Sequence, residues 1–330
     1  MKPAADSADP PALANPPARR PGLAAYVALL VVAALLALGY KLRTNSILAC
    51  AASGYSSDDF LGYCNVTGYG DYDHGAFWYG LEPQATAHAA AADAVFLGSS
   101  RMQFGFSSPA TADWFRARQL RHYLFGFSHT ETVRFMAPLL ERTPLKARAY
   151  VINVDRFFDA RLSPPFETLQ AASDGPARYV ERRRWQAVHQ ALCGRWPALC
   201  GQDLAFFRSR SDGAWHATGT ERLERGGVAD HPQESPAQWA GFIDLARRFV
   251  ARLPVDRSCV VLTLVPNGAT RRAEATAIAQ ALGLELVAPT PAGLSTFDGS
   301  HLDAASAQRW SEAFFAAAGP RLEACLAQRG

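Results

Sequence analysis

The chain has 330 residues, of which 49% are hydrophobic and 19% are charged, and its formal net charge is +3. A chain this apolar buries enough surface to offset the entropy lost on folding, so extensive disorder is excluded. Its nearly balanced charge argues against a protein whose main partner is nucleic acid. The 25 glycines and 21 prolines are ordinary usage, which excludes collagen-like and low-complexity chains.

The N-terminal part of the chain is an arm rich in Pro and Ala, residues 1–21, followed by an uncharged run from Leu23 to Tyr40. This run approaches the roughly 20 residues that a helix needs to cross a hydrocarbon core. Apolar residues cover every face of that helix, which disfavours a buried helix of a soluble domain. The run is also longer than the apolar region of a typical cleaved signal peptide. We therefore predict a transmembrane signal anchor over residues 22–43, with 1–21 as a cytoplasmic arm.

All six cysteines follow the apolar run. An even number of cysteines on one side of a membrane indicates an oxidising compartment, so we predict a single-pass protein of the cytoplasmic membrane whose large C-terminal domain is periplasmic. Sequence order favours the pairs Cys50–Cys64, Cys193–Cys200 and Cys259–Cys325, although six cysteines permit fifteen pairings. Free thiols and zinc ligands are the alternatives. No pair has C-x-x-C spacing, so no metal site is predicted.

Residues 44–90 have no sustained period and are interpreted as a juxtamembrane region. From residue 91 onward, apolar runs alternate with helical patterns. The predicted strands are ADAVFLG, HYLFGF, ARAYVINVD, CVVLTLVP and LELVAP. The predicted helices are one beginning at Ser108-Pro109, then TETVRFMAPLLERT, SPAQWAGFIDLARRFVARL, TRRAEATAIAQALG and DAASAQRWSEAFFAAAG. This alternation predicts an α/β domain over 91–330 with a doubly wound, mainly parallel sheet, interrupted by an insertion or cap at about 156–235.

Two short motifs stand at the predicted carboxyl edge of that sheet, where such folds bind substrates. Gly98-Ser99-Ser100-Arg101 follows the first strand, and Asp298-Gly299-Ser300-His301 precedes the last helix. A serine hydroxyl needs a histidine base, and an acid that orients the histidine completes the set. Each motif alone is typical of an ordinary turn. Together they indicate a serine nucleophile.

The two motifs resemble the first and last sequence blocks of the SGNH (GDSL-like) hydrolase family. VFLGSSR is most similar to the DltD-like and alginate-acetylation branch, in which Gly-Ser-Ser replaces Gly-Asp-Ser. The resemblance covers about residues 94–318, apart from 156–235. It implies a flavodoxin-like three-layer fold, with Ser100 as nucleophile, Asp298 as orienting acid and His301 as base.

The middle blocks depart from the family pattern. Gly126 resembles the glycine whose N–H joins the oxyanion hole, but a tight turn is an equal interpretation. Asp155 stands where the family has an oxyanion-hole Asn, with Asn153 two residues earlier, and an ionised carboxylate cannot donate a hydrogen bond. Either another donor serves, or Asp155 has a different role, or the site is weakened. Arg101 either pairs with Asp155 or binds an anionic or sugar substrate, and Asn267 is either a substrate contact or a turn residue.

The remaining candidates give no further site. The histidines outside the motif have no metal-ligand spacing, and there is no Gly-rich phosphate loop, so no cofactor is predicted. Three tryptophans of the insertion either stack on sugar rings or anchor a disulfide-braced subdomain: Trp185, Trp196 and Trp215.

The family resemblance implies an extracytoplasmic O-acyltransferase, with acetyl as the expected acyl group, that acts on a cell-envelope polysaccharide through an acyl-serine. It also implies a multi-pass membrane-bound O-acyltransferase as a partner. An esterase or deacetylase without that partner, and a noncatalytic envelope scaffold, are the alternatives.

Overall fold

The computed structural model describes residues 22–66, 69–171, 173–231 and 236–327. The described chain divides after Lys41 into two compact units. The first is formed by most of an exposed N-terminal helix, Leu23–Asn45, which is long and apolar enough to cross a membrane. Its range agrees with the predicted span, whereas the predicted arm 1–21 lies outside the described residues.

The described residues contain α-helices that are numbered in chain order: α1 (Leu23–Asn45), α2 (Asp73–Trp78), α3 (Pro83–Ala90), α4 (Ser100–Phe106), α5 (Pro109–Arg116), α6 (Val133–Arg142), α7 (Pro164–Ala171), α8 (Ala177–Arg195), α9 (Trp239–Val250), α10 (Arg272–Leu282) and α11 (Ala304–Ala327). The strands are β1 (Asp59–Cys64), β2 (Gly70–Asp71), β3 (Ala94–Ser99), β4 (His122–Phe127), β5 (Ala149–Asn153), β6 (Ala205–Ser209), β7 (Trp215–Thr218), β8 (Gly226–Gly227), β9 (Val260–Thr263), β10 (Leu286–Val287) and β11 (Ser295–Thr296).

Five strands form a wholly parallel sheet in the order β10-β9-β5-β3-β4. Numbered by appearance within this sheet, the order is 2-1-3-4-5, which is found in doubly wound folds. The switch point of such a sheet lies between its first and third strands, here β3 and β5. The predicted α/β class with a parallel sheet is confirmed.

Alternate residues of each central strand enter two different cores. On β3, Ala94 and Phe96 pack against the side of α4, α5 and α11, whereas Val95 and Leu97 pack against the side of α6, α9 and α10. Strands covered on both faces are apolar at nearly every position, which explains why these runs do not alternate in the sequence.

A second, antiparallel sheet joins two segments for which the sequence predicts no strands. Its order is β2-β1-β6-β7, so β1 of the predicted juxtamembrane region pairs with β6 of the predicted insertion, and β2 and β7 extend the sheet on either side. The insertion also contains α7, α8 and β8, and β8 pairs with β11. These segments are therefore structured parts of the second compact unit.

The structure differs from the predicted helices at α4, which is not predicted, and at α11, which is longer than predicted. The helix predicted to begin at Ser108-Pro109 does begin there, and the Ser108 hydroxyl accepts a hydrogen bond from the Thr111 N–H at 3.3 Å. However, α4 precedes it directly after β3, where no separate helix is predicted. The last helix continues to Ala327 instead of ending near residue 319.

The three predicted disulfide pairs are confirmed, with Cα separations of 5.5 to 6.1 Å. Cys50–Cys64 fixes the residues after α1 to the end of β1. Cys259–Cys325 connects the start of β9 to the end of α11.

Candidate active site

Ser100, His301 and Asp298 form a continuous series of hydrogen bonds. The Ser100 Oγ lies 2.8 Å from His301 Nε2, and His301 Nδ1 lies 2.7 Å from Asp298 Oδ2. When Nδ1 carries the proton that Asp298 accepts, Nε2 is the acceptor for the Ser100 hydroxyl. This is the geometry in which a histidine can remove the proton of a serine nucleophile.

The two serines of the motif occupy different positions on the turn. Ser99 is the last residue of β3 and the N-cap of α4, and its hydroxyl accepts a hydrogen bond from the Arg101 N–H. Ser100 is the first residue of α4, and its hydroxyl is directed to His301. Ser99 therefore has a capping role, and Ser100 is the serine in contact with His301.

Two glycines allow α4 to begin directly at the end of β3. A Cβ on Gly98 would lie 2.7 Å from Met102 Cβ, and a Cβ on Gly126 would lie 2.8 Å from the Ser99 carbonyl oxygen. The two glycines are register partners on β3 and β4. Because real Cβ atoms do not approach this closely, larger residues at either position would displace the turn that carries Ser100.

The loop before α11 holds Asp298 through both of its carboxylate oxygens. Oδ1 accepts hydrogen bonds from the Ser300 and His301 N–H groups at 2.9 and 2.8 Å, whereas Oδ2 binds the imidazole. Burial works to raise the pKa of Asp298, but the hydrogen bond and charge of His301 and the two backbone donors outweigh burial and lower it below its usual range. The carboxylate is thus ionised, as an orienting acid must be.

Arg101 connects the serine turn to the histidine loop. Its Nη1 lies 2.5 Å from Asp155 Oδ2, and its Nε donates to Ser300 Oγ at 3.0 Å. The Asp155 side chain is fully buried, and that of Arg101 is 21% exposed. Of the predicted alternatives for these residues, the structure therefore shows the ion pair. Asp155 has a role other than donating to an oxyanion.

The backbone N–H of Gly126 is hydrogen-bonded to Gln103, a residue that the sequence motifs do not identify. This N–H donates to Gln103 Oε1 at 3.0 Å, and the Gln103 amide in turn donates to the Gly213 carbonyl. A role for the Gly126 N–H in an oxyanion hole would require this hydrogen bond to open. Gln103 lies one turn after Ser100 on α4, but its partners come from distant segments, so no local sequence signal identifies it.

Two asparagine amides at this edge of the sheet have no hydrogen-bond partner among the described residues. They are Asn153 Nδ2 and Asn267 Nδ2. Asn267 Oδ1 accepts from the Ala269 N–H, as in an Asx turn, so the predicted turn role is present. Its neighbour Gly268 donates to the Gly299 carbonyl, which places this turn beside the histidine loop.

Aromatic side chains surround the His301 ring. Phe297 stacks on it with centroids 5.5 Å apart, and Phe104 meets it edge-on at 5.1 Å. Phe104 in turn packs with Phe206 and Trp215 of the antiparallel sheet. Trp215 is buried in this cluster, which agrees with the anchoring interpretation of that tryptophan.

A group of three side chains with metal-ligating atoms occurs elsewhere in the described chain, at His189, Cys193 and Cys200. The two sulfur atoms form a disulfide, and the imidazole nitrogens contact the Tyr55 hydroxyl at 3.0 Å and the Cys50 carbonyl at 3.3 Å. These atoms are therefore committed to structural contacts in the oxidised protein.

No family model, no curated protein and no solved structure matches the chain.

Proposed function

We propose that this protein is a serine acyl-transfer enzyme that works through an acyl-Ser100 intermediate. The hydrogen-bonded series Ser100–His301–Asp298 carries the proposal. His301 accepts the Ser100 proton as Oγ attacks the acyl carbonyl, and it then gives that proton to the leaving group. In the second half-reaction His301 deprotonates an acceptor hydroxyl, whose oxygen attacks the acyl carbonyl. The bond between the acyl group and Ser100 Oγ then breaks, and His301 gives the proton to Oγ, which restores the free enzyme.

We assign the second compact unit to the SGNH-like fold. Three features support this assignment. The parallel sheet has the order 2-1-3-4-5, Ser100 follows its first strand, and the Asp298–His301 turn immediately precedes α11. The family itself is proposed from the resemblance of the two motifs, and the strand order is the one expected for the three-layer fold of that family.

The acceptor that we propose is a hydroxyl group of a cell-envelope polysaccharide, so that the enzyme is an O-acyltransferase. This choice rests on the resemblance to the DltD-like and alginate-acetylation branch. It also fits the half-buried Phe297 ring beside His301, because a flat apolar surface next to the base suits the face of a sugar ring. An esterase shares the acyl-serine step and differs only in using water as acceptor.

We place the enzyme in the cytoplasmic membrane, with residues from 44 onward outside the cytoplasm. The exposed apolar helix α1 and the three disulfides support this placement. The acyl group would come from a multi-pass membrane-bound O-acyltransferase, a partner taken from the resemblance. A periplasm-specific reporter fused after Gly330 should be active, and activity of a cytoplasm-specific reporter instead would contradict the placement.

The experiment that tests the function is cleavage of p-nitrophenyl acetate by the purified full chain, with and without the substitution Ser100→Ala. Ser99→Ala is the matched control, because Ser99 caps the same turn without contacting His301. The proposal expects loss of activity in the first variant only. Stimulation by an added oligosaccharide, with formation of its ester, would identify a transferase, and simple hydrolysis would identify the esterase. Cleavage no faster than the uncatalysed rate in all three proteins would favour the noncatalytic scaffold, and equal activity above that rate would contradict the role of Ser100.

A further inference from the structure

The second compact unit exposes large apolar side chains in one segment of the chain. Outside α1, four such side chains are exposed among the described residues: Trp185 at 50%, Val188 at 41%, Trp196 at 53% and Leu199 at 50%. All four lie within fifteen residues, on α8 and the disulfide loop that follows it. We call these four residues the α8 patch. Single exposed apolar residues need no explanation, but a cluster of this kind marks an interaction surface.

Positive charge without an acidic partner among the described residues accompanies the α8 patch. Arg183 and Arg184 directly precede Trp185, and Arg195 directly precedes Trp196. All three arginines are exposed, and none forms an ion pair within the described part of the chain. Glu181 is the one acidic residue between positions 177 and 200. The surface therefore combines tryptophan rings with uncompensated guanidinium groups.

Hydrogen bonds tie α8 and the loop after it to the residues that follow α1 in the chain. The Gly201 N–H donates to the Leu48 carbonyl at 2.7 Å, and His189 Nε2 lies 3.3 Å from the Cys50 carbonyl oxygen. Leu48 follows Asn45, the last residue of α1, by three positions, which span at most about 11 Å of extended chain. If α1 crosses a bilayer, the residues bonded to α8 cannot lie far from its surface.

We propose that the α8 patch inserts into the headgroup region of the same membrane in which α1 is anchored, with the arginines on lipid phosphates. Tryptophan is enriched at membrane interfaces because one part of its ring system is apolar and its N–H is polar. Arginines beside it are attracted to anionic lipids. A second attachment of this kind would restrict the orientation of the catalytic unit on the membrane. The proposal depends on α1 as the anchor and is independent of the acyl chemistry.

Tryptophan fluorescence gives a direct test, because all seven tryptophans follow α1 in the sequence and none lies within it. The full chain is reconstituted in nanodiscs of phosphatidylcholine and phosphatidylglycerol whose acyl chains carry bromine near the glycerol. Bromine quenches only rings that approach the lipid, so quenching in wild type reports contact of the second unit with the membrane. The expected result is partial quenching that is mostly lost in the double variant W185F/W196F.

The matched control is W114F/W239F, which removes two partly buried tryptophans outside the α8 patch and should retain the quenching. Thermal unfolding of both variants verifies that they are folded. Absence of quenching in wild type, or equal loss of quenching in the two double variants, would overturn the proposal. Quenching absent in wild type together with a dimer whose formation is weakened by W185F/W196F would assign the patch to a second copy of the chain instead.

Discussion

Arg101 and Asp155 form an ion pair across the switch point of the parallel sheet. Arg101 directly follows Ser100, and Asp155 lies two residues after the end of β5. The pair gives the buried Asp155 carboxylate a partner of opposite charge. The guanidinium also binds Ser300, which lies between Asp298 and His301. A single arginine thus connects the turn that carries Ser100 with the loop that carries His301.

This pair predicts an asymmetric response to mutation. Arg101→Met leaves a buried carboxylate without its partner, which typically costs about 3–5 kcal/mol of stability. Asp155→Asn should cost less, because the remaining arginine is partly exposed and keeps an oxygen acceptor. Urea unfolding of both variants measures the difference. An Arg101→Met protein no less stable than Asp155→Asn would contradict this account of the pair.

A second buried network predicts how stability depends on pH. His74 lies between Asp71 and Glu131, with ring nitrogens 2.9 and 2.7 Å from their carboxylate oxygens. Burial works to lower the pKa of His74, but the two carboxylates outweigh burial and raise it to about 10.

A histidine whose pKa is higher in the folded protein contributes stability that is complete below about pH 6.5, its unfolded value, and is lost as the pH rises toward the folded value. The free energy of unfolding should therefore fall between about pH 6.5 and 9 in wild type by more than in His74→Gln. Parallel pH profiles of the two proteins would show that His74 is not charged in the folded state.

The disulfides should differ in their contributions to stability. The loops that they close separate the cysteines by 66, 14 and 7 positions. Loop entropy in the unfolded chain predicts about 4 kcal/mol for Cys259–Cys325 and about 2 kcal/mol for Cys193–Cys200. Double Cys→Ser variants compared by chemical unfolding measure this order. Recovery of six alkylatable thiols from protein isolated without reductant would contradict the pairing itself.

The sequence predicts well those features that depend on local pattern. The five strands of the parallel sheet are continuous apolar runs, and the motifs around Ser100 and His301 lie at fixed places relative to a strand and a helix. Neighbouring cysteines in the sequence also turned out to be partners. In each case the information lies within a few consecutive residues or in simple order along the chain.

Contacts between distant segments were not predictable in this way. β1 pairs with β6, which lies far along the chain, and β2 has only two residues, too few to show a period. Arg208 on β6 binds Asp73 on α2 and the carbonyls of Leu124 and Gly126. Such partners are set by the antiparallel sheet as a whole. The engagement of the Gly126 N–H by Gln103 depends on the same tertiary packing.

Asp298 has a role that can be separated from that of the nucleophile. In the proposed mechanism Asp298 orients His301 through its hydrogen bond to Nδ1, and it has no contact with Ser100 among the hydrogen bonds of the described residues. Asp298→Asn should therefore leave the fold intact while slowing acylation by up to about 10⁴-fold, as a wrong histidine tautomer does in unrelated serine triads. Stopped-flow acylation with an activated ester measures the rate, and near-ultraviolet circular dichroism checks the fold. An unchanged rate would show that Asp298 only forms the turn.

The most direct test of the central claim is to identify the residue that a fluorophosphonate or activated-acyl probe modifies in the folded full chain, by peptide mass spectrometry. The account predicts a label on Ser100 that disappears in Ser100→Ala and His301→Ala and remains in Ser99→Ala. A label on Ser99, or no labelled serine in folded protein, would contradict it.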